Sequence, residues 1–324
     1  MVIEEFEIGK LLSSIGEDIE SKENAKKDAK KEEPSRVLND KSISFIVLKV
    51  DHKEFNFGSP SYLVSVLGKP MVSYVKKACE FAPKTKEIED GADVVGEIKP
   101  LLTDKEWTVV LFSDTPLLTT TTLAEAFMHA EQKDLNVCKL TRGYIFKTEY
   151  IKRVDKIFEV ESFFQDTEDY LVVKTIEDLQ KVTFLMKERI VKNLSSQGVI
   201  IVDPESTYIE SAVVVGKGTT IYPNVALMGE TQVGCNSNIG FGSSLKHAVV
   251  GDRCNIQNSM ITNSVVLDSS LVETSRVENN SLVEKNCVIK HYSILSSAKI
   301  GKNSKVSWSK IKGIEVEENS NIES

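Results

Sequence analysis

Asp114 is the residue of this chain best placed to do chemistry. It ends the run TVVLFSD, Thr108 to Asp114, whose apolar and β-branched content marks a buried strand of a parallel sheet. Ligands of such sheets gather beyond the carboxyl ends of the strands, so a carboxylate there either meets a ligand or caps the segment that follows. The other reactive side chains offer less. Cys79, Cys138, Cys235, Cys254 and Cys287 are scattered, odd in number and free of CxxC spacing, which argues against a disulfide framework or zinc site and for buried thiols. His247 and His291 fall in the last third without a recognisable partner, which fits a surface or corner role.

The elements that must position Asp114 follow from the pattern around it. ISFIVLKV, from Ile43, is a second buried strand. MVSYVKKACEF, Met71 to Phe81, puts Val72, Val75, Ala78 and Cys79 on one helical face, and Thr120 to Gln132 reads as the helix after the Asp114 strand. Strand, helix, strand, helix predicts a parallel sheet with right-handed crossovers. Thr175 to Gly198 predicts a long helix whose stripe, Ile176, Leu179, Val182, Met186, Ile190 and Leu194, would pack on that sheet, with Gly198 ending it.

From about Ile209 onward an aliphatic residue recurs every six positions, at Ile209, Val215, Ile221, Leu227, Val233, Ile239 and Leu245. A strand alternates at two and a helix repeats at between three and four, so neither alone gives this period. It predicts a solenoid in which each unit is one short strand and one corner, three units making a triangular coil. Gly216, Gly218, Asn224, Gly229, Asn236 and Gly240 supply residues that tolerate the bend. Past Leu245 the row continues through Val250, Ile256, Ile261, Val266 and Val272 to Ile322, with several steps of five residues that a tighter corner would accommodate. A β-sandwich would show alternation and longer turns instead.

The stretch GVIIVDPESTYIESAVVVGKGTTIYPNVALMGETQVGCNSNIG, Gly198 to Gly240, resembles the start of the hexapeptide-repeat left-handed β-helix of GlmU-type proteins. Those are bifunctional enzymes pairing N-acetylglucosamine-1-phosphate uridyltransferase with glucosamine-1-phosphate acetyltransferase. GKPMVSYV, Gly68 to Val75, is similar to the GKPML segment of sugar-nucleotide pyrophosphorylases, and FSDTPLL, Phe112 to Leu118, to their GDxPLL segment. The resemblance implies a reduced nucleotidyltransferase-like, Rossmann-like parallel-sheet domain followed by the β-helix. It also implies Mg²⁺ on Asp114 if the protein is active, nucleotide-sugar contacts at Lys69, Thr141 and Gly143, and a homotrimer associating through the flat faces of the solenoid.

The sequence departs from the family at its catalytic loops. Anchored on Gly68, the region of the family's glycine-rich, Arg-containing loop reads LKVDHKEFNFGSPSYLVSV, with Ser61 at the Lys position and acidic Glu54 at or beside the Arg position. Backbone amides approach a triphosphate closely only where side chains are absent, and an acidic group there repels phosphate. The uracil-reading QxGTxHA segment has no counterpart, and the sugar-contacting NTG motif has become Thr141, Arg142, Gly143. The segment GVNNR has become VVKTIEDL, which brings Lys174 near the second metal-binding position, where it would neutralise Asp114 in place of a metal. In SKVSWSKIKG, Ser304 to Gly313, Trp308 stands where the family's acetyltransferase half has its general-base His, and an indole accepts no proton.

Composition bounds the rest. A chain of 324 residues with 41% apolar content suits two domains, and its net charge of -8 argues against a general nucleic-acid partner. No apolar run approaches a membrane span and MVIEEFEIGK is acidic, which predicts a cytoplasmic protein without a membrane partner. The charge-alternating run SKENAKKDAKKEEPSR lies in a tail with too little apolar content to offset its ordering entropy, so disorder or a loose solvated helix is expected. The predicted organisation is a charged tail over 1–40, a nucleotidyltransferase-like domain over 41–174, a linker helix over 175–198 and a left-handed β-helix over 199–324. The residues point to a diverged GlmU-like protein with weakened or lost chemistry and a structural or regulatory role. The alternatives are an active sugar-1-phosphate nucleotidyltransferase of the UDP-N-acetylglucosamine pyrophosphorylase type, using Asp114 and Mg²⁺, and, third, an acyltransferase.

Overall fold

The computed structural model describes residues 38, 42–55, 58–79, 81–157, 160–163 and 168–323, and it divides into two compact units between Met186 and Lys187. The charged tail and the Glu54 side chain lie outside the described residues, except for Leu38, which is buried in the core of the first unit.

In chain order the first unit holds β1 (Ile43–Val50), a hairpin of β2 (Ser65–Val66) and β3 (Lys69–Pro70), α1 (Met71–Ala78), β4 (Lys84–Ile88), α2 (Val94–Ile98), β5 (Trp107–Phe112) and α3 (Thr120–Gln132). It continues with β6 (Val137–Leu140), β7 (Gly143–Lys147), α4 (Thr148–Arg153) and β8 (Glu161–Ser162). The main sheet has the order β4-β1-β5-β7-β6-β8. Its first three strands are parallel, as the two apolar runs predict, and every residue of β5 is buried. β7 runs antiparallel to both β5 and β6, so the sheet is parallel where Asp114 lies and mixed beyond it.

Helices cover both faces, which is why β1 and β5 can be apolar on both sides. Val72, Val75, Leu123 and Phe127 of α1 and α3 pack with Phe45, Val47 and Val109 on one face. Val95, Ile98 and Ile151 of α2 and α4 pack with Ile46, Leu48 and Val110 on the other. α1 stops earlier than its apolar face predicts, because Cys79 is already extended. β4, KTKEI, has no apolar signature; its lysines and exposure suit the edge of a sheet, where charge discourages further pairing.

α5 (Ile176–Ser196) begins at a reciprocal cap, with the Asp178 amide donating to Thr175 Oγ1 at 3.1 Å and the Thr175 amide to Asp178 Oδ2 at 2.9 Å. It ends at Gly198, whose φ of 89° lets the Val199 amide fold back to the Leu194 carbonyl. Its stripe departs from expectation at both ends: Ile176 is exposed, while Ile190 and Leu194 join the core of the second unit instead of the sheet.

That second unit is a parallel β-solenoid with three faces. Tyr208–Ile209 through Lys310–Lys312 form a 7-stranded first face, Val214–Val215 through Glu315–Val316 a 7-stranded second face, and Ile200–Ile201 through Asn321–Glu323 an 8-stranded third. The six-residue row is its interior. Val215, Ile221, Leu227, Val233, Ile239 and Leu245 are all fully buried, and so are their successors to Val306. The five-residue steps leave the row intact, since Leu227 pairs with Leu245 and Leu245 pairs with Ile261 although the second coil is shorter. The residues are lost at corners, and each aliphatic side chain kept inside contributes about 1.5–3 kcal/mol of burial.

The corners use the left-handed region. Asn224 and Asn236 have φ of 59° and 55°, and Gly218 and Gly229 have 78° and 64°. Gly216 and Gly240 are not left-handed; at Gly216 the need is close approach, because a Cβ there would lie 2.7 Å from the Cys235 amide nitrogen. A second row, which hydrophobic periodicity does not reveal, consists of buried hydroxyls. The Ser237 amide donates to Thr219 Oγ1 at 3.0 Å, Ser237 Oγ donates to the Gly251 carbonyl at 3.0 Å, and it accepts from the Cys254 amide at 3.0 Å. Each hydroxyl thus satisfies backbone groups of neighbouring coils. Cys254 occupies the next rung, and burial pushes its thiol up to about 11. Four of the five thiols are buried as expected, whereas Cys235 is half-buried.

Candidate functional site

Because β4, β1 and β5 lie side by side and parallel, the residues that follow them are delivered to one edge of the sheet: Glu89 and Asp90, Asp51 and His52, Ser113 and Asp114. Ser61 fixes the β1 end. Its Oγ accepts from the His52 amide at 2.9 Å and donates to the Val50 carbonyl at 3.2 Å, while its own amide donates to Asp51 Oδ1 at 2.7 Å. The residue at the expected Lys position is therefore a fully buried clamp that sets the direction of His52. Ser113 does the same for β5, accepting from the Val50 amide at 3.0 Å.

Asp114 is 0% exposed. Its Oδ2 accepts from His52 Nε2 at 3.0 Å and from Arg142 Nη2 at 2.7 Å, and Arg142 Nε lies 3.2 Å and 3.1 Å from Oδ1 and Oδ2. Arg142 immediately precedes β7, and the register Leu111↔Gly143 carries it to the end of β5, where its guanidinium lies 4.2 Å from the Phe112 ring centroid. Gly143 makes this approach possible: at φ 148° it begins β7 where a Cβ would meet the Val110 carbonyl at 2.6 Å. Asp90 extends the network, accepting from Arg142 Nη2 at 3.2 Å and lying 3.8 Å from His52 Nδ1 and 3.9 Å from Lys174 Nζ.

Burial alone would push the Asp114 carboxyl up, but hydrogen bonds from His52 and Arg142 and the charge of Arg142 outweigh it and hold the group below its ordinary range. Burial likewise opposes the Arg142 charge, and the Asp114 hydrogen bond and charge more than restore it. The pair is an ionised couple in a dry setting, satisfied by geometry.

The expectation of Mg²⁺ on Asp114 meets this couple directly. A hard cation needs free carboxylate oxygen, yet both Asp114 oxygens already accept hydrogen bonds, and a guanidinium occupies the approach. No group of three or more His, Cys, Asp or Glu side chains among the described residues is arranged to hold a metal ion. The residues present do not fit the ion in this arrangement. The cation expected to neutralise Asp114 is also reassigned: Lys174 sits against Asp90, and Arg142 takes the role.

Beside the network lies a cleft of about 610 Å³ lined by Asp51, His52, Lys53, Ile88, Glu89, Asp90 and Lys174. Lys69, Thr141 and Gly143 are not among its lining residues: Lys69 pairs in the β2–β3 hairpin, Thr141 is exposed in a turn, and Gly143 is buried in the sheet. His52, Asp90 and Arg142 were the residues that sequence patterns did not bring together with Asp114. In the second unit Trp308 is exposed and stacks on His291, centroids 5.3 Å apart at 16°. Both sit at left-handed corners, and His247, also at a corner, lies 3.4 Å from the Glu230 amide, so each histidine has a neighbour that spacing did not show.

No helix among the described residues is long and apolar enough to cross a membrane. No protein-family model matches the chain. It is similar to the bifunctional protein GlmU of Clostridioides difficile, 40% identical over 124 residues, which is 38% of this chain and 27% of that protein. It is also similar to GlmU of Alkaliphilus metalliredigens, 34% identical over 110 residues, which is 34% of this chain and 23% of that protein. GlmU of Caldanaerobacter subterraneus is 32% identical over 156 residues, covering 43% of this chain and 34% of that protein. The matched part thus spans about a quarter to a third of these relatives' length. A parallel-sheet unit that delivers Asp114 to its edge and a solenoid built on a hexapeptide row thus accompany a similarity to GlmU proteins that extends over part of the chain.

Proposed function

We propose that this chain is a non-catalytic, structural or regulatory relative of the sugar-nucleotide transferases, in which an Arg142–Asp114 couple stands where a metal-binding carboxylate would work. The observation that carries this is the saturation of Asp114: fully buried, with hydrogen bonds from His52 and Arg142 on its oxygens. The loop chemistry agrees, since Ser61 is spent on backbone groups. The solenoid would serve as the assembly element of a homotrimer in the cytoplasm.

A second reading, a working sugar-1-phosphate nucleotidyltransferase, is favoured by the cleft of about 610 Å³ at the strand ends, a volume in the range of small-molecule sites. One assay separates the two. Purified protein with UTP, Mg²⁺ and N-acetylglucosamine-1-phosphate is expected to release no pyrophosphate above background. Robust turnover that is lost in Asp114→Asn would establish the second reading in place of the first.

A further inference from the structure

The solenoid sorts its aromatic residues. Apart from Tyr208, every Phe, Tyr and Trp in residues 199–324 lies at one corner, where the third face turns into the first: Tyr222, Phe241, Tyr292 and Trp308. They form two platforms. Tyr222 and Phe241 have ring centroids 5.3 Å apart, and Tyr292 lies 5.7 Å from Trp308, itself stacked on His291. Phe241, Tyr292 and Trp308 are 59%, 70% and 54% exposed. His291, Tyr292 and Trp308 are held at φ of 54°, 61° and 58°, a region that suits Asn or Gly and strains bulky residues. Core packing does not ask for exposed rings at strained corners, so another demand placed them there.

Between the platforms the corner carries the smaller Asn258 and Thr274, and there a groove of about 460 Å³ opens. Met260, Ile294 and Tyr292 give it apolar walls, and the exposed Asn258 and Arg276 bring N–H donors. The serines beneath are spent inside the fold. Ser259 Oγ donates to the Gln257 carbonyl at 2.7 Å and accepts from the Ser275 amide at 3.1 Å, Ser275 Oγ donates to the Glu273 carbonyl at 2.8 Å, and Ser293 Oγ to the Lys290 carbonyl at 2.6 Å. A saccharide, with a hydroxyl on most of its carbons, would leave many of them unmatched there. A peptide cannot enter by strand addition either, because the strands through Ser244, Met260, Arg276 and Ile294 are paired on both sides. A polyproline II segment needs what the groove offers. It has no internal hydrogen bonds, so its carbonyls take donors; proline brings no N–H to be matched, and its ring packs on aromatic faces. Ser244 to Ile294 is three ladder steps, about 14 Å at the usual strand spacing, which is the length of about five polyproline II residues.

We propose that this corner groove binds a proline-rich peptide in the polyproline II conformation, with its prolines against Met260 and Tyr292 and its carbonyls on Asn258 and Arg276. The site lies within the second unit and stands independently of Asp114.

The test presents the full-length chain to an array of decapeptides carrying Pro-x-x-Pro with the other positions varied, beside the same peptides with alanine at both prolines. A subset of the proline peptides is expected to retain the chain, and the alanine versions to bind about tenfold or more weakly. For a retained peptide, fluorescence anisotropy should show a comparable loss in Tyr292→Ala and in Met260→Asp, and none in Tyr208→Ala, which removes an aromatic residue outside the corner. Both groove positions are exposed, so each variant should keep the circular-dichroism melt of the parent. Retention of no proline peptide overturns the proposal, as does binding that survives both groove variants. Displacement of the peptide by cellotetraose overturns it in favour of a saccharide. Self-association abolished by Tyr292→Ala overturns it in favour of a second copy of the chain.

Discussion

The two units solve the problem of polar groups in a dry interior in opposite ways. The solenoid repeats one small solution, a backbone-satisfying hydroxyl such as Ser237 beside an aliphatic such as Ile239, so that no single rung dominates. The first unit instead gathers buried charge in one place, where Asp114 depends on Arg142 and His52, with the exposed Asp90 beside them. Repetition makes a solenoid tolerant of phase slips and of Cys254 in a serine row, whereas a charge network fails when one member is removed. Intrinsic fluorescence can follow the units separately, because one of the 2 tryptophans, Trp107, is buried in the first and the other, Trp308, is exposed on the second.

The strongest challenge to that contrast is a charge placed in the repeating core. Ile221→Asp buries an unpaired carboxylate between coils and is expected to cost about 5 kcal/mol or more, since it adds ion desolvation to lost aliphatic burial. Thermal unfolding followed at Trp308 measures it; a melt like that of the parent would mean that the row does not face one interior.

Next in size is Arg142→Ala, which leaves Asp114 buried without its cation and is expected to destabilise the first unit by about 3–5 kcal/mol. Urea unfolding followed at Trp107 should shift, while the Trp308 transition stays in place. The same couple sets a pH limb. The folded Asp114 is held below its ordinary value of 3.8, so the unfolded chain takes up the proton first on acidification. Its contribution is therefore complete above about pH 4 and is lost as pH falls through the lower folded value. Asp114→Asn should flatten that acid-side loss, and an unchanged slope would remove Asp114 as its source.

The smallest effect is expected at a corner. Asn224 already holds φ 59°, so Asn224→Gly should change stability by no more than about 0.5 kcal/mol. A loss of several times that size, read from the Trp308 melt, would show that the asparagine side chain, and not only its backbone, sustains the coil.

Much of the fold was legible in the residues. The hexapeptide row is local and repeated, so each of its members testifies to the others, and the strand partners from Ile209 to Ile322 fall where that row places them. Buried strands flanking a helix likewise announce β1 and β5. β4 and the early end of α1 were not legible, because exposed edge strands and helix ends carry little apolar pattern.

The candidate site divides along the same line. That Asp114 ends a parallel strand is contained in the sequence itself. What stands against Asp114 is not: Arg142 is 28 residues away in the chain and His52 is 62. They meet it because β7 turns antiparallel beside β5 and because Ser61 fixes the chain after β1. Strand register and loop closure are cooperative properties of the packed sheet, so only the tertiary structure could decide that an arginine, and not Lys174, answers this carboxylate.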